Sequence, residues 1–254
     1  MKKIDTVIIT GSGAGLGKAL AIECAKKYKV VCISKSDNVF DTYEEVKKLS
    51  PNSLAFKCDI SKISHTFEIL SSIDLFEENI AFLLCAGQLG ETGGILDTNL
   101  SNWTNVYNTN VVGNLNVVKC FIDNILKNKF SKIFLFAGGG SAYGFPIFSS
   151  YSLSKTAIVR AAENLHLELK DYGDIVSLAI APGALKTKML EKVIEAGAEI
   201  KTTVPIEETV DFVLTLLEKD IRNLSGKFIH VRDDLNNLTK EPINENIWKL
   251  RRIE

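Results

Sequence analysis

The chain has 254 residues, 46% of them hydrophobic, and 30 basic against 31 acidic side chains leave a net charge of −1. That apolar fraction suffices for a large buried core, and a balanced charge without long like-charged blocks excludes the basic footprint of a nucleic-acid binder. No apolar run reaches the roughly 18 residues of a membrane span, so neither nucleic acid nor membrane is expected as a partner.

The N-terminus opens on two lysines and a short apolar run that leads straight into glycines, with no small-residue cleavage site, so no secretory leader is read there. Cys24, Cys32, Cys58, Cys85 and Cys120 are odd in number and form no CxxC pair. They read as buried, reduced thiols of a cytoplasmic protein. His65, His166 and His230 share no ligand spacing, so no metal site is expected. No linker or internal repeat divides residues 1–254, which read as one domain with a short extension at about 233–254.

Thr6–Thr10 (TVIIT) is a β-branched run of the kind buried on both faces of a sheet. After a glycine turn, Leu16, Leu20, Ala21, Cys24 and Tyr28 fall at helical spacing. Further strand-like runs cover residues 29–34, 54–58, 80–85, 132–136, 175–181 and 227–231. A long helix is predicted over 101–129 with Ser101 as N-cap, and another over 150–171 that stops at Tyr172-Gly173. Strands alternating with helices imply an α/β doubly wound sheet, with parallel strands, right-handed crossovers and helices on both faces. Ligands of such sheets bind beyond the carboxyl ends of the strands.

The turn after the first strand reads Thr10-Gly-Ser-Gly-Ala-Gly-Leu-Gly17. Gly11, Gly15 and Gly17 suit a backbone that turns tightly, approaches a pyrophosphate and lets helix pack closely on strand. The helix start beyond it offers free N–H groups and a positive dipole end to phosphates. No Gly-Lys-Ser/Thr follows, so this is not a P-loop. An ordinary strand-to-helix turn is the plainer alternative for this segment alone.

Taken with the segments that follow it, the TGxxxGxG spacing at Thr10, Gly11, Gly15 and Gly17 resembles the classical short-chain dehydrogenase/reductase family. Asp59, Ala86-Gly87, Trp103 seven residues before Asn110, Tyr151-x-x-x-Lys155, and Pro182-Gly183 with Thr187 match it in order, from about residue 5 to 231. The resemblance implies a Rossmann-type sheet of about seven parallel strands, NADP or NAD as cofactor, a small-molecule substrate, and a homodimer or homotetramer. It places Gly11, Ser12, Gly15, Leu16 and Gly17 among the cofactor-binding residues. Asp59 and Ile60 would meet the adenine, Ala86 and Gly87 the ribose. Pro182, Gly183 and Leu185 complete the set, with Thr187 on the nicotinamide carboxamide. Cys85 stands where the family often has asparagine.

A carboxylate at the end of the second strand would bind the ribose hydroxyls of NAD. Ser34 and Lys35 stand there instead, and a cation suits the 2′-phosphate of NADP, although Asp37 is near. NADP is therefore the preferred cofactor.

Tyr151 and Lys155 lie four apart, on one face of a helix. A free tyrosine, with a pKa of about 10, is a poor base near neutrality, and a nearby ammonium should lower it. By resemblance, Tyr151 moves the proton, Lys155 also holds the nicotinamide ribose, and Asn110 anchors a water of the proton relay. The family's serine, thirteen residues before the tyrosine, is here Gly138, in the run Phe136-Ala-Gly-Gly-Gly-Ser-Ala142. This resembles a subgroup with a glycine-rich loop at that place. Ser141 is the nearest hydroxyl and the candidate substitute donor.

Residues 186–205 fall where the family has its substrate lid, with a helix predicted over 190–200. Trp248, in the tail, packs on its own domain or on a partner subunit. The reading is an NAD(P)-dependent oxidoreductase that interconverts a carbonyl and an alcohol. Its rivals are a catalytically weak nicotinamide-binding sensor or scaffold, and a non-redox enzyme of the sugar-nucleotide epimerase kind.

Overall fold

Thr6–Thr10 (β1) is buried at every position in the computed structural model, which describes residues 2–200, 202–238 and 250. Successive side chains leave a strand on opposite faces. Val7 and Ile9 enter one apolar layer and Ile8 the other. With water on neither side the run has no polar alternation.

The chain continues through Gly15–Cys24 (α1), Lys29–Ser34 (β2), Asn38–Leu49 (α2), Leu54–Lys57 (β3), Ile63–Leu70 (α3) and Ile80–Leu84 (β4). Helical segments lie over residues 100–128, followed by Phe130–Phe136 (β5). Asp174–Ala181 (β6) and Phe228–His230 (β7) complete the sheet. All seven expected strands are present, with ends shifted by at most two residues. They pair in parallel, in the order β3-β2-β1-β4-β5-β6-β7. The order reverses between β1 and β4, the switch point at whose carboxyl ends sheets of this kind bind their ligands.

The predicted helix over 101–129 is broken. It consists of Leu100–Tyr107 (α4), a π-helical turn Asn108–Gly113, Asn114–Cys120 (α5) and Ile122–Asn128 (α6). Its cap is Asn99, not Ser101: the Asn99 side chain accepts from the Ser101 N–H at 2.9 Å. The wider π ring loosens the backbone ladder. The Asn114 amide compensates by donating to the carbonyls of Asn110 at 3.0 Å and Thr109 at 3.4 Å.

Ser149–Leu169 (α7) follows β5, and Lys188–Glu195 (α8) and Ile206–Glu218 (α9) lie between β6 and β7. One layer packs Leu20 of α1, Val46 of α2 and Leu216 of α9 on the sheet. The other packs Leu70 of α3, Val117 of α5, Ile125 of α6 and Ile158 of α7. Each such side chain, fully buried, stabilises the fold by about 1.5–3 kcal/mol. The lid helix α8 begins and ends earlier than predicted, because Thr187 caps it by accepting from the Leu190 N–H at 3.4 Å. A bridge between Leu185 and Val204 ties the lid at its base. Trp248 and most of the expected extension lie outside the described residues. Among the described residues no helix is long and apolar enough to cross a membrane.

Candidate active site

The glycine turn after β1 is shaped by its own backbone. Gly11 sits at φ +69°, and a Cβ there would lie 2.9 Å from the Ala86 backbone. A Cβ on Gly17 would lie 2.8 Å from the Gly11 carbonyl carbon. Helix α1 starts from Ala14 with no side-chain cap and no acidic residue in its first turn. Its N–H groups and positive dipole end are thus left for an anion. The turn fits a dinucleotide pyrophosphate.

Individual side chains depart from expectation. Ser12 is fully buried, and both its N–H and its hydroxyl donate to the Ile33 carbonyl at 3.2 Å, so it braces the turn against β2. Leu16 packs partly buried on the core. Ile60 is core as well, pressed against Gly113 under the π turn, and not on an open face. At the rim, Ser34 ends β2 and its hydroxyl would lie 3.0 Å from a Cβ on Gly13. The Lys35 ammonium pairs with Asp59 at 3.1 Å, with side chains 76% and 23% exposed. Burial raises the Asp59 carboxyl, but hydrogen bonds from Ser61 and Lys35 outweigh it and hold the group below its usual range.

Across the switch point, Thr10 donates to the Asn114 Oδ1 at 2.7 Å and accepts from the Ala86 N–H at 3.0 Å. The Asn114 amide returns to the Ala86 carbonyl at 2.8 Å. Thr10 and Asn114 thereby lock the ends of β1 and β4, a role missed in the sequence. The signal was there: Asn114 lies one helical turn beyond Asn110. Asn110 is fully buried and clamps Gln88 from both sides, accepting from its N–H at 2.8 Å and donating to its carbonyl at 3.0 Å. Its other amide hydrogen goes to the Ser154 hydroxyl at 2.9 Å, and Ser154 donates to the Tyr151 carbonyl at 2.7 Å. Both amide hydrogens are committed, so Asn110 ties the loop after β4 to α7 and donates to no further group.

Lys155 is buried, and its ammonium donates to the Phe136 carbonyl at 2.7 Å, beside Gly87 and 5.6 Å from the Tyr151 ring centre. Burial pushes Lys155 down to about 8, against a smaller opposing effect from Cys85. Burial pushes the Tyr151 phenol up to about 12. The expected lowering of the phenol is thus reversed: desolvation favours the neutral form of both groups. Facing Tyr151 is Gly138, where a Cβ would lie 3.0 Å from the phenol oxygen. Ser141 is no substitute donor in this geometry. Its hydroxyl donates to the Gly138 carbonyl and closes the turn, as a serine in a tight loop commonly does.

The third apolar cluster covers this site. Leu89, Phe148 and Val193 form its core, with Ile147, Met189 and Tyr151 packed on them. Pro182 accepts from Thr209 at 3.1 Å, Gly183 takes φ +76°, and Leu185 is buried at the lid base. The Thr187 methyl would lie 3.5 Å from a Cβ on Gly15, so the start of the lid reaches the glycine turn.

A family model described as short chain dehydrogenase matches residues 5–197. A 3-oxoacyl-(acyl-carrier-protein) reductase of Buchnera aphidicola is 27% identical over 240 residues, 91% of this chain and 96% of that one. An NADPH-dependent pterin aldehyde reductase of Arabidopsis thaliana is 28% identical over 193 residues, 73% of this chain and 76% of that one. The crystal structure of an NAD+-bound xylitol dehydrogenase superposes with a TM-score of 0.80 at 21% identity, covering 89% of this chain and 96% of that one.

Proposed function

The chain belongs to the short chain dehydrogenase family, and from that premise we propose that Tyr151 is the proton donor and acceptor of its reaction, with Lys155 as its charged neighbour. The protein is an NAD(P)-dependent oxidoreductase that interconverts a carbonyl and an alcohol. When bound, the nicotinamide dinucleotide supplies the chemistry of hydride exchange with the substrate carbon. The turn around Gly11, Gly15 and Gly17 and the uncapped start of α1 would hold its phosphates, with Ala86, Gly87 and Thr187 flanking the rest.

One observation carries the assignment. The Tyr151 hydroxyl faces Gly138, and the Lys155 ammonium lies beside Gly87 and Phe136, all at the carboxyl ends of β4 and β5. In reduction, Tyr151 gives its proton to the carbonyl oxygen as the carbon gains hydride. A phenol near 12 stays protonated at neutral pH and is ready to act as the acid. Lys155, near 8, is largely charged at pH 7 and stabilises the phenolate as it forms. In oxidation, the phenolate takes the alcohol proton. Nicotinamide absorbance followed over a panel of carbonyls, with wild type against Tyr151→Phe, tests the assignment. Turnover that survives the substitution refutes it.

NADP is the preferred cofactor in this reading. Ser34 adds no carboxylate at the ribose, and the exposed Lys35 stands at the rim beside Asp59. Titration should show tighter binding of NADPH than of NADH, and Lys35→Ala should weaken NADPH alone. Equal affinities in the wild type count against the preference. The chain also fits the subgroup whose glycine-rich loop replaces the serine. Five free thiols support a reducing, cytoplasmic setting. A homodimer or homotetramer, supported by the exposed Leu100 and Tyr107 on α4, is checked by sedimentation.

A further inference from the structure

Between the lid and the loop after β4 lies a cleft of about 370 Å³. Leu89 and Val106 supply its apolar lining, and Gln88, Glu91, Asn102, Asn105 and Lys192 its polar lining. Leu89 also belongs to the apolar cluster that holds Tyr151, Met189 and Val193. Leu89 therefore links the cleft to the cluster on which Tyr151 packs. On α8, Lys192 lines the cleft while its neighbour Val193 packs into the cluster.

The polar groups of the cleft are unevenly satisfied. The Glu91 carboxylate accepts from the Asn99 N–H at 3.4 Å and from the Asn102 amide. The Gln88 amide donates to the Asn105 carbonyl at 2.8 Å and the Thr109 hydroxyl at 3.0 Å. Among the described residues, the Lys192 ammonium, the Asn105 side-chain amide and the N–H groups of Leu89, Gly90 and Glu91 have no partner. Gly90 fixes the path of those N–H groups. It lies at φ +80°, and a Cβ there would sit 2.6 Å from the Val106 Cγ2. Both Glu91 oxygens already accept, so the charge left free in the cleft is the Lys192 ammonium. A cation, an amide and a run of backbone N–H groups make the donor set that recognises a carboxylate.

We infer that the substrate carries a carboxylate that seats in this cleft, joined to the reacting carbonyl by an apolar segment along Leu89. Lys192 and Asn105 are the specificity-determining residues. The inference rests on the assignment of Tyr151 as proton donor and names the substrate class of that site.

The test compares 4-formylbenzoate with 4-methylbenzaldehyde as substrates with NADPH. The carboxylate should raise kcat/KM by about tenfold, as expected of a charged hydrogen bond. Lys192→Gln or Asn105→Ala should erase that advantage and leave the methyl compound unchanged. Equal kcat/KM for the two aldehydes in the wild type overturns the inference. If neither aldehyde is reduced, calorimetry decides, with 4-methylbenzoate and 4-methylbenzamide added to the NADPH-loaded protein. Selective binding of the benzoate, lost in Lys192→Gln, upholds the carboxylate site and counts against the Tyr151 assignment instead. No binding, or no preference, overturns the carboxylate site.

Discussion

The turn after β1 holds its glycines by backbone contact. A Cβ on Gly11 would strike the Ala86 backbone, and one on Gly17 would strike Gly11. The turn after β5 is built otherwise. A Cβ on Gly138 would first meet a side chain, the Tyr151 phenol at 3.0 Å. The first turn needs glycine to exist in its shape. In the second, glycine leaves the space beside the Tyr151 oxygen free of a side chain. Two runs that look alike in the sequence thus answer to different constraints, one architectural and one chemical.

The comparison breaks first at Tyr151. If the oxygen facing Gly138 moves the proton, Tyr151→Phe should lower turnover by about 10²–10⁴-fold with cofactor affinity kept. Steady-state rates and a binding titration together check this. Next comes the architectural turn. Gly17→Ala should cost about 3 kcal/mol of stability and abolish cofactor binding, because backbone must move to admit the methyl group. A melting curve and a titration report it, and an unchanged melting temperature would contradict the close contact.

Gly138→Ser sharpens the contrast further. The new side chain crowds Tyr151, so activity should fall about tenfold while the fold remains, instead of rising toward that of a serine-bearing enzyme. Rising pH supplies a related test. Lys155 loses its proton near 8 while Tyr151 keeps its own to about 12. Carbonyl reduction should therefore decline above about pH 8, and a pH–rate profile flat to pH 10 would deny Lys155 a charged role. The smallest effect belongs to Ser141→Ala. It removes the hydroxyl that donates to the Gly138 carbonyl and accepts from the Gly138 N–H, about 1 kcal/mol of stability, and should leave kcat nearly unchanged.

Much of this was legible from the sequence. The strands announce themselves because burial on both faces demands unbroken apolar runs, as in Thr6–Thr10. Tyr151 and Lys155 share a helix face by spacing alone. The π turn was not legible, since it inserts a residue among polar asparagines where no apolar period marks the slip. Asn99 and Ser101 are both good caps two residues apart, and only the packing of α4 chooses between them. Ser12 was placed among the cofactor-binding residues by resemblance, and Ser141 was the candidate donor. Each found a carbonyl close at hand, a competition that residue type does not reveal. Desolvation of Tyr151 and Lys155 depends on everything packed around them, so helix spacing gave the wrong sign for the phenol.

The π turn over Asn108–Gly113 makes chain length itself part of the site. Such a turn houses one residue more than an α-helix would across the same span. Deleting one residue within it would let the helix close into regular geometry across the same span, whereas a further residue inserted there would rotate everything downstream by about 100°. Asn114 would then swing off Thr10 and Ala86, and the loop carrying Gly87 would lose its anchor. Insertions in this six-residue stretch should therefore be far more damaging than a single deletion or most substitutions, so a mutant library built here should vary identity without lengthening the chain.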